Sequence, residues 1–423
     1  MARIAAFSGI RYNQKKIKDL KSAVTPPYDV ISRTQESEFY KANKYNFIRI
    51  ILGKEKIGDT RRDNKYTRAK GFFKKWLNER VFIEDKEPCV YIYEQSYNFK
   101  GKRLNRIGFI SLLELEPPGK GMVFPHEKTF CKPKEDRLAL LEAVEANLSP
   151  IFGLYSDREL RIDKLLKSGC SAKPVIDLKF EGVENRLWKV SDDNFIRRLA
   201  KLMQDKKIFI ADGHHRYEVA CFYHKLMRGS KKIKSGWTMM YFCNLESKGL
   251  KVFPTHRVIR NIAPKITEKL FLLLSRHFLI QSVRSIKELF LKLKAAKSNE
   301  HLFGLYLGKK RFYLLRLKNN QTAFSRNNPD VVILHNLILS ESIGIKEKGN
   351  AEADILHTRD ERLAMKLVDD REYRAAFFMN PPHPAQISAM AGLCRKMPHK
   401  STYFYPKPLS GLVINRLSTI RIN

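Results

Sequence analysis

Several marks of familiar protein classes are missing from this sequence. Its six cysteines, Cys89, Cys131, Cys170, Cys221, Cys243 and Cys394, form no CxxC pair and no Cys/His cluster at zinc-finger spacing. That spread argues against a zinc site or a disulfide framework and reads as ordinary buried thiols. Residues 1–14 show neither the apolar core nor the small-residue cleavage site of a secretory signal. The longest apolar stretches, such as residues 271–274, fall far short of the roughly 20 residues that span a bilayer. A cytoplasmic protein with no membrane partner is expected. No internal repeat, heptad run or low-complexity tract occurs, which excludes solenoids and coiled coils. The absence of Gly-x-x-x-x-Gly-Lys-Ser/Thr and of Gly-x-Gly-x-x-Gly excludes ordinary P-loop and dinucleotide-binding folds.

Acidic residues are also in short supply. Against 80 Lys and Arg stand 44 Asp and Glu, a formal charge of +36. Such an excess favours polyanions, so nucleic acid is one candidate partner. The basic residues are spread thinly, however, in pairs such as Lys15-Lys16, Lys74-Lys75, Lys206-Lys207, Lys231-Lys232 and Lys309-Lys310. A dedicated nucleic-acid binder concentrates them in one arm or stripe, and a helix-turn-helix signature is lacking too. A Lys-rich solvated surface is the simpler reading.

What is present describes a folded enzyme. Over 423 residues, 43% are hydrophobic and 11% aromatic, enough for two or three domains with their own cores. The patterning predicts a mixed α/β protein in three segments. Residues 1–125 form an N-terminal α/β segment, with a strand over 47–52, a helix near 66–77, strands over 89–94 and 106–113, and a break at Pro117, Pro118, Gly119 and Gly121. Residues 126–230 form the second segment, with a helix over 135–147, a strand over 151–155 and an insertion at about 156–205. A short buried strand then runs over 207–211 into a helix at 217–227. Residues 231–423 form a C-terminal α/β domain, with strands at 239–245, 302–307, 311–317 and 375–379. Helices there are expected at 267–277, 286–294, 331–340 and 385–395.

The strongest chemical signal is Asp212-Gly213-His214-His215-Arg216, between that buried strand and its helix. Glycine allows a sharp turn, so the first free amides of the helix open toward an anion. His214, His215 and Arg216 crowd further donors there, and the Arg fork matches phosphate oxygens. Asp212 is the exception in a cationic nest, able to orient a histidine, position a hydroxyl or bind Mg²⁺ already held by phosphates. Ahead of the helix at 135–147 lies His126-Glu127-Lys128-Thr129, whose carboxylate suits a general base for a hydroxyl. Thr255-His256-Arg257 and Lys400-Ser401-Thr402 each place a hydroxyl beside cations, as a substrate carboxylate or anion pocket would. Thr25-Pro26-Pro27-Tyr28-Asp29 reads as a rigid turn from which Tyr28 and Asp29 can reach a cleft.

These motifs, together with Val30-Ile31, Ala211, Tyr217, Pro254 and Tyr403-Phe404-Tyr405-Pro406-Lys407, resemble the family called domain of unknown function 1015 along nearly the whole chain. The order of elements from His126-Glu127 to the helix after Asp-Gly-His-His-Arg resembles the ParB/sulfiredoxin fold, with residues 156–205 as an added insertion. That fold includes free-serine kinases with a Glu before the first helix and an Asp-Gly-x-His-Arg turn. The resemblance implies Glu127 as base for the substrate hydroxyl, Asp212 and His215 at the transferred phosphoryl group, and Gly213, His214 and Arg216 at the phosphates. It also implies a small-molecule kinase acting on free L-serine or a similar hydroxyl metabolite, with Mg²⁺ and with ATP, ADP or pyrophosphate as donor. The competing expectation is a nucleotide-sensing or nucleic-acid-binding module with a ParB-like core.

Overall fold

The computed structural model describes residues 1–116, 121–127, 131–229, 233, 235–297, 299–318, 328–345, 354–383, 386–387, 390, 397–398 and 400–417. The breaks predicted at Pro117, Pro118 and Gly119, the pair Lys231-Lys232, the motif residues Lys128 and Thr129, Cys394 and most of the helix over 385–395 lie outside them. The fold is mixed α/β, as the patterning predicts. The chain divides into two compact units, one of Met1–Pro125, Thr129–Lys251 and Pro406–Asn423, the other of His126–Lys128 and Val252–Tyr405.

The first unit is built on a nine-stranded mixed sheet. In spatial order its strands are Val123–Phe124, Ile208–Asp212, Ile151–Tyr155, Trp237–Asn244, Lys102–Glu114, Val90–Phe99, Val183–Val190 and Ile176–Phe180, with Ile4–Ala5 also paired to Lys102–Glu114. Because side chains alternate across a strand, the two faces differ in character. Val90, Ile92, Phe109, Ile208, Ile210, Met240 and Phe242 join one apolar core with Ile162, Leu166, Phe195 and Leu199. The last four come from the helices Arg161–Ser168 and Asp193–Met203. The opposite face carries Tyr93, Gln95, Arg106 and Tyr241, all buried. The stretch read as an insertion therefore supplies two strands and two helices to this unit.

Local chemistry explains the boundaries. The helix Cys131–Val144 stops where Glu145 takes a left-handed φ of 53°. Ala146–Asn147 then pairs with Asn415–Arg416. Residues 47–52, read as a strand, instead contain the short helix Ile48–Ile51. Short apolar runs fit a buried helix as well as a strand. Here Asn46 decides, since its side-chain oxygen accepts the Ile48 amide at 2.8 Å and starts the helical turn.

The second unit holds a six-stranded antiparallel sheet in the order Phe278–Val283, Phe312–Leu317, Leu302–Tyr306, Ala375–Met379, His256–Ile259 and Ile355–Thr358. Leu289, Leu293, Ala364 and Val368, from the helices Ile286–Lys294 and Glu361–Asp369, pack with Val258, Leu314 and Phe378 in its core. Helix Asp330–Ile333 continues into a wider π-helical stretch over Leu334–Ser342. Among the described residues no helix is long and apolar enough to cross a membrane.

Candidate functional site

In the first unit the strand Ile208–Asp212 runs into Gly213, and the helix His214–Leu226 starts at once. Along that strand Ile210 pairs with Gly153, but Asp212 pairs with Phe152, so Ala211 is an extra residue. Such a bulge bends a strand end and re-aims its side chains. Gly213 has a φ of 90°, a left-handed conformation that glycine adopts without strain. A Cβ there would also lie 2.9 Å from Cζ, Nε and Nη2 of Arg216. Glycine thus permits both the turn and the folding of the Arg216 guanidinium back over it. Gly213, the N-cap residue, has no side chain with which to cap the helix. The first amides of the helix, which no helical carbonyl reaches, lie at the positive end of the helix dipole.

Asp212 is 7% exposed and serves as an ionic hub rather than a cap. Arg216 Nη2 donates to its Oδ2 at 2.5 Å, and Lys407 Nζ donates to its Oδ1. Lys407 also lies 3.5 Å from Asp29 Oδ2. The other Arg216 nitrogens diverge: Nη1 donates to the Pro150 carbonyl, while Nε is buried with no hydrogen-bond partner among the described residues. Burial, chiefly, and then Asp29 push the Tyr28 phenol up to about 12, and the Arg137 guanidinium stacks 4.1 Å from its ring. Burial also holds the His215 imidazole below its ordinary value, against the upward pull of Glu218 and Asp29. At pH 7 His215 is therefore neutral, able to donate from one nitrogen and accept at the other. Beside Arg216 a cavity of about 60 Å³ is lined by Tyr28, Arg137, Ser149, Ile151 and Val219 among others. That is room for a few waters or a few ligand atoms.

The second unit gathers a different set. Glu127, 8% exposed, accepts at Oε1 from the Thr402 amide at 3.1 Å and the Thr402 hydroxyl at 3.0 Å. His126 is fully buried, and its Nε2 lies 3.2 Å from the same hydroxyl oxygen. Since the single Thr402 proton goes to Glu127, His126 Nε2 is the protonated nitrogen. Burial drives this imidazole down to about 3, so it stays neutral. The Met397 amide donates to the His126 carbonyl at 2.6 Å. The Arg257 guanidinium donates to the Thr255 carbonyl at 2.6 Å and the Lys400 carbonyl at 3.3 Å, tying the two predicted substrate motifs together. Lys400 has a left-handed φ of 51°, and Ser401 Oγ donates to the Pro398 carbonyl. His256 stands apart from this group, edge-on to Phe378 with ring centroids 5.1 Å apart and beside Phe290 at 6.1 Å. Neither of its nitrogens has a hydrogen-bond partner among the described residues, and burial lowers it to about 4.

Comparison with known proteins adds a family. The profile described as "Protein of unknown function (DUF1015)" matches residues 4–337. The chain belongs to that family. A search of curated proteins returned no match. Among solved structures, a conserved hypothetical protein from Pyrococcus furiosus is 12% identical, with 70% of this chain and 92% of that one covered at a TM-score of 0.35. A free serine kinase in complex with AMP is 13% identical, with 70% and 88% covered at 0.36. SbnI with a C-terminal truncation, from Staphylococcus aureus, is 11% identical, with 71% and 85% covered at 0.37. Overlays this loose leave the chemistry to be read from this chain's own side chains.

In this DUF1015 chain, then, Asp212, Gly213, His214, His215 and Arg216 come together in the first unit. Glu127, Thr255, Arg257, Lys400, Ser401 and Thr402 lie in the second, with His256 in its aromatic core. Sequence alone does not mark Lys407 as a site residue, although it closes the ionic hub. One more lysine in a chain this basic carries no signal, and its partner Asp212 lies 195 positions away. The one pointer was the run Tyr403-Phe404-Tyr405-Pro406-Lys407, in which a proline fixes the backbone just before a lysine.

Proposed function

We propose that this protein is a small-molecule phosphotransferase, a kinase that moves a phosphoryl group from a nucleotide or pyrophosphate to the hydroxyl of free L-serine or a similar small metabolite. The observation that carries this reading is the Gly213 turn: a helix start with glycine at its N-cap, a guanidinium folded over it with one buried N–H unpaired among the described residues, and a buried carboxylate between two cations. Phosphoryl transfer asks for positioning and charge neutralisation more than covalent help from the protein. The helix amides and Arg216 would hold the donor's phosphates, while neutral His215 would hydrogen-bond the transferring group. Asp212 would keep Arg216 and Lys407 in register. The acceptor oxygen bonds to phosphorus as the bond from phosphorus to the leaving oxygen breaks, and the hydroxyl proton passes to Glu127, the proposed base. Glu127 already accepts a hydrogen bond from a hydroxyl, that of Thr402, at 3.0 Å.

Among the described residues no group of three or more His, Cys, Asp or Glu could hold a metal ion, and both Asp212 oxygens are engaged by cations. Mg²⁺ would accordingly arrive on the donor's phosphates and neutralise their charge, rather than sit in a protein cage. The test is to incubate the purified protein with Mg²⁺, each of ATP, ADP and pyrophosphate, and a panel of amino acids and hydroxylated metabolites. A phosphorylated acceptor whose formation is lost in Asp212→Asn supports the reading. Donor binding without any transfer across the panel reduces it to a nucleotide-binding module.

A further inference from the structure

We infer that Lys407 is a phosphate-binding residue of the Gly213 turn and that Asp29 competes with the ligand for it; this deepens the phosphotransferase reading and rests on it. The side chain of Lys407 is only 9% exposed, an unusual state for a lysine, and its ammonium lies between two carboxylates. The two contacts are unequal. Asp212 is the close partner, on a side chain 8% exposed, whereas Asp29 is 3.5 Å away on one that is 38% exposed. A contact that long and that wet is weak, so an arriving phosphate oxygen can displace Asp29 while Asp212 keeps hold of the lysine.

The backbone beneath Lys407 is fixed as a binding residue requires. Arg106 Nη2 donates to the Pro406 carbonyl and to Gln95 Oε1, and Gln95 Nε2 donates to the Lys407 carbonyl at 3.1 Å. Arg106 is itself fully buried, with its guanidinium over the rings of Phe152 and Tyr241 at 4.8 and 5.4 Å. Gln95 is anchored in turn through Asn185, which the Tyr93 hydroxyl also reaches at 2.6 Å. A buried polar network thus spans one face of the sheet and ends on the two carbonyls that carry Lys407. A purely structural lysine needs no such support, because a flexible side chain can find a surface carboxylate from many backbone positions. Here the network sets the ammonium on Asp212, whose other oxygen Arg216 holds and which directly precedes the Gly213 turn. An anion bound to the helix amides after that turn would meet a guanidinium and an ammonium together.

The experiment is a calorimetric titration of the full chain with inorganic pyrophosphate and with ADP, without an acceptor, so that catalysis does not enter. Lys407→Met is expected to weaken both ligands roughly 10- to 100-fold, the range of one lost charge-assisted contact, and Lys407→Arg is expected to restore much of it. Asp29→Asn, an exposed change that leaves the core intact, is expected to tighten both ligands about 2- to 5-fold by removing a competing anion. A merely structural lysine gives no such gain. If the wild type binds and Lys407→Met binds equally well, Lys407 has no part in holding phosphate, while the turn keeps its role. An Asp29→Asn affinity that is unchanged or lower overturns the competition even if Lys407→Met fails to fold. A wild type that binds neither probe overturns the reading of the turn and this inference with it.

Discussion

Asp212 and Glu127 are buried almost equally, at 7% and 8% exposure, yet the donors that reach them include different kinds of group. Asp212 faces charges, with Arg216 on one oxygen and Lys407 on the other. Glu127 Oε1 faces a backbone amide and a hydroxyl, both from Thr402. A carboxylate clamped by two cations is an electrostatic fixture, since its removal leaves like charges facing each other. The hydroxyl among the Glu127 donors is the kind of group from which the proposed base would take a proton. Burial alone therefore says little about what a carboxylate does, and the chemistry of its donors says more.

The largest effect should come from neutralising the fixture. Asp212→Asn preserves shape but takes from Arg216 and Lys407 the buried carboxylate they share, so both activity and stability should suffer. Loss of turnover is expected, with a stability loss of about 3 kcal/mol, the lower end for removing one partner of a buried ion pair. Chemical denaturation together with the kinase assay measures both, and an Asn variant as stable as the wild type would break the contrast with Glu127.

Glu127→Gln should behave differently. The amide oxygen can still accept from the Thr402 backbone and hydroxyl, so those two contacts should survive the change. The rate should fall roughly 10²- to 10⁴-fold, the usual contribution of a general base, with donor affinity unchanged. An equal loss in rate and donor affinity would make Glu127 a second anchor. Smaller still is Arg216→Lys, expected to weaken pyrophosphate about tenfold, because an ammonium cannot span Asp212, the Pro150 carbonyl and a ligand at once. Equal affinity in the two proteins would show that the helix amides alone hold the anion.

The strand, turn and helix around Gly213 were legible because every requirement there is local: an apolar run, a glycine where φ must be positive, and donors directly after it. The helix and strands at 286–294, 302–307, 311–317 and 375–379 were legible from periodicity for the same reason. What sequence could not reveal was non-local. The bulge at Ala211 exists only relative to its partner strand. The helix Ile48–Ile51 depends on Asn46, whose side chain also donates to the Ser22 carbonyl at 2.7 Å. Lys407 matters only because the segment Pro406–Lys407 is pinned by Arg106 and Gln95. His256 shows the converse, since a Thr-His-Arg motif suggests a polar pocket until the strand's alternation turns the middle residue toward Phe378.

His256 also extends the comparison to a buried polar group whose nitrogens have no hydrogen-bond partner among the described residues. In the folded chain its imidazole is held down to about 4, first by burial and then by Arg257, against an ordinary 6.5. A histidine whose value falls on folding binds fewer protons folded than unfolded, so its contribution is fully present above about 6.5 and is lost as pH falls toward 4. Between pH 7 and pH 5 the loss from this residue should be about 2 kcal/mol, at roughly 1.4 kcal/mol per unit. His126, lowered to about 3, adds a drop of its own in the same window and is left in place. His256→Leu removes only the first contribution. It should be as stable as the wild type or more so at pH 7, because a buried imidazole without partners costs desolvation energy that an aliphatic side chain does not. Urea unfolding at the two pH values reads both effects. The gap between them should shrink in His256→Leu by about the amount His256 contributes. An unchanged gap would mean that the imidazole finds a partner on protonation, and His256 would then belong with Asp212 among the charge-paired groups.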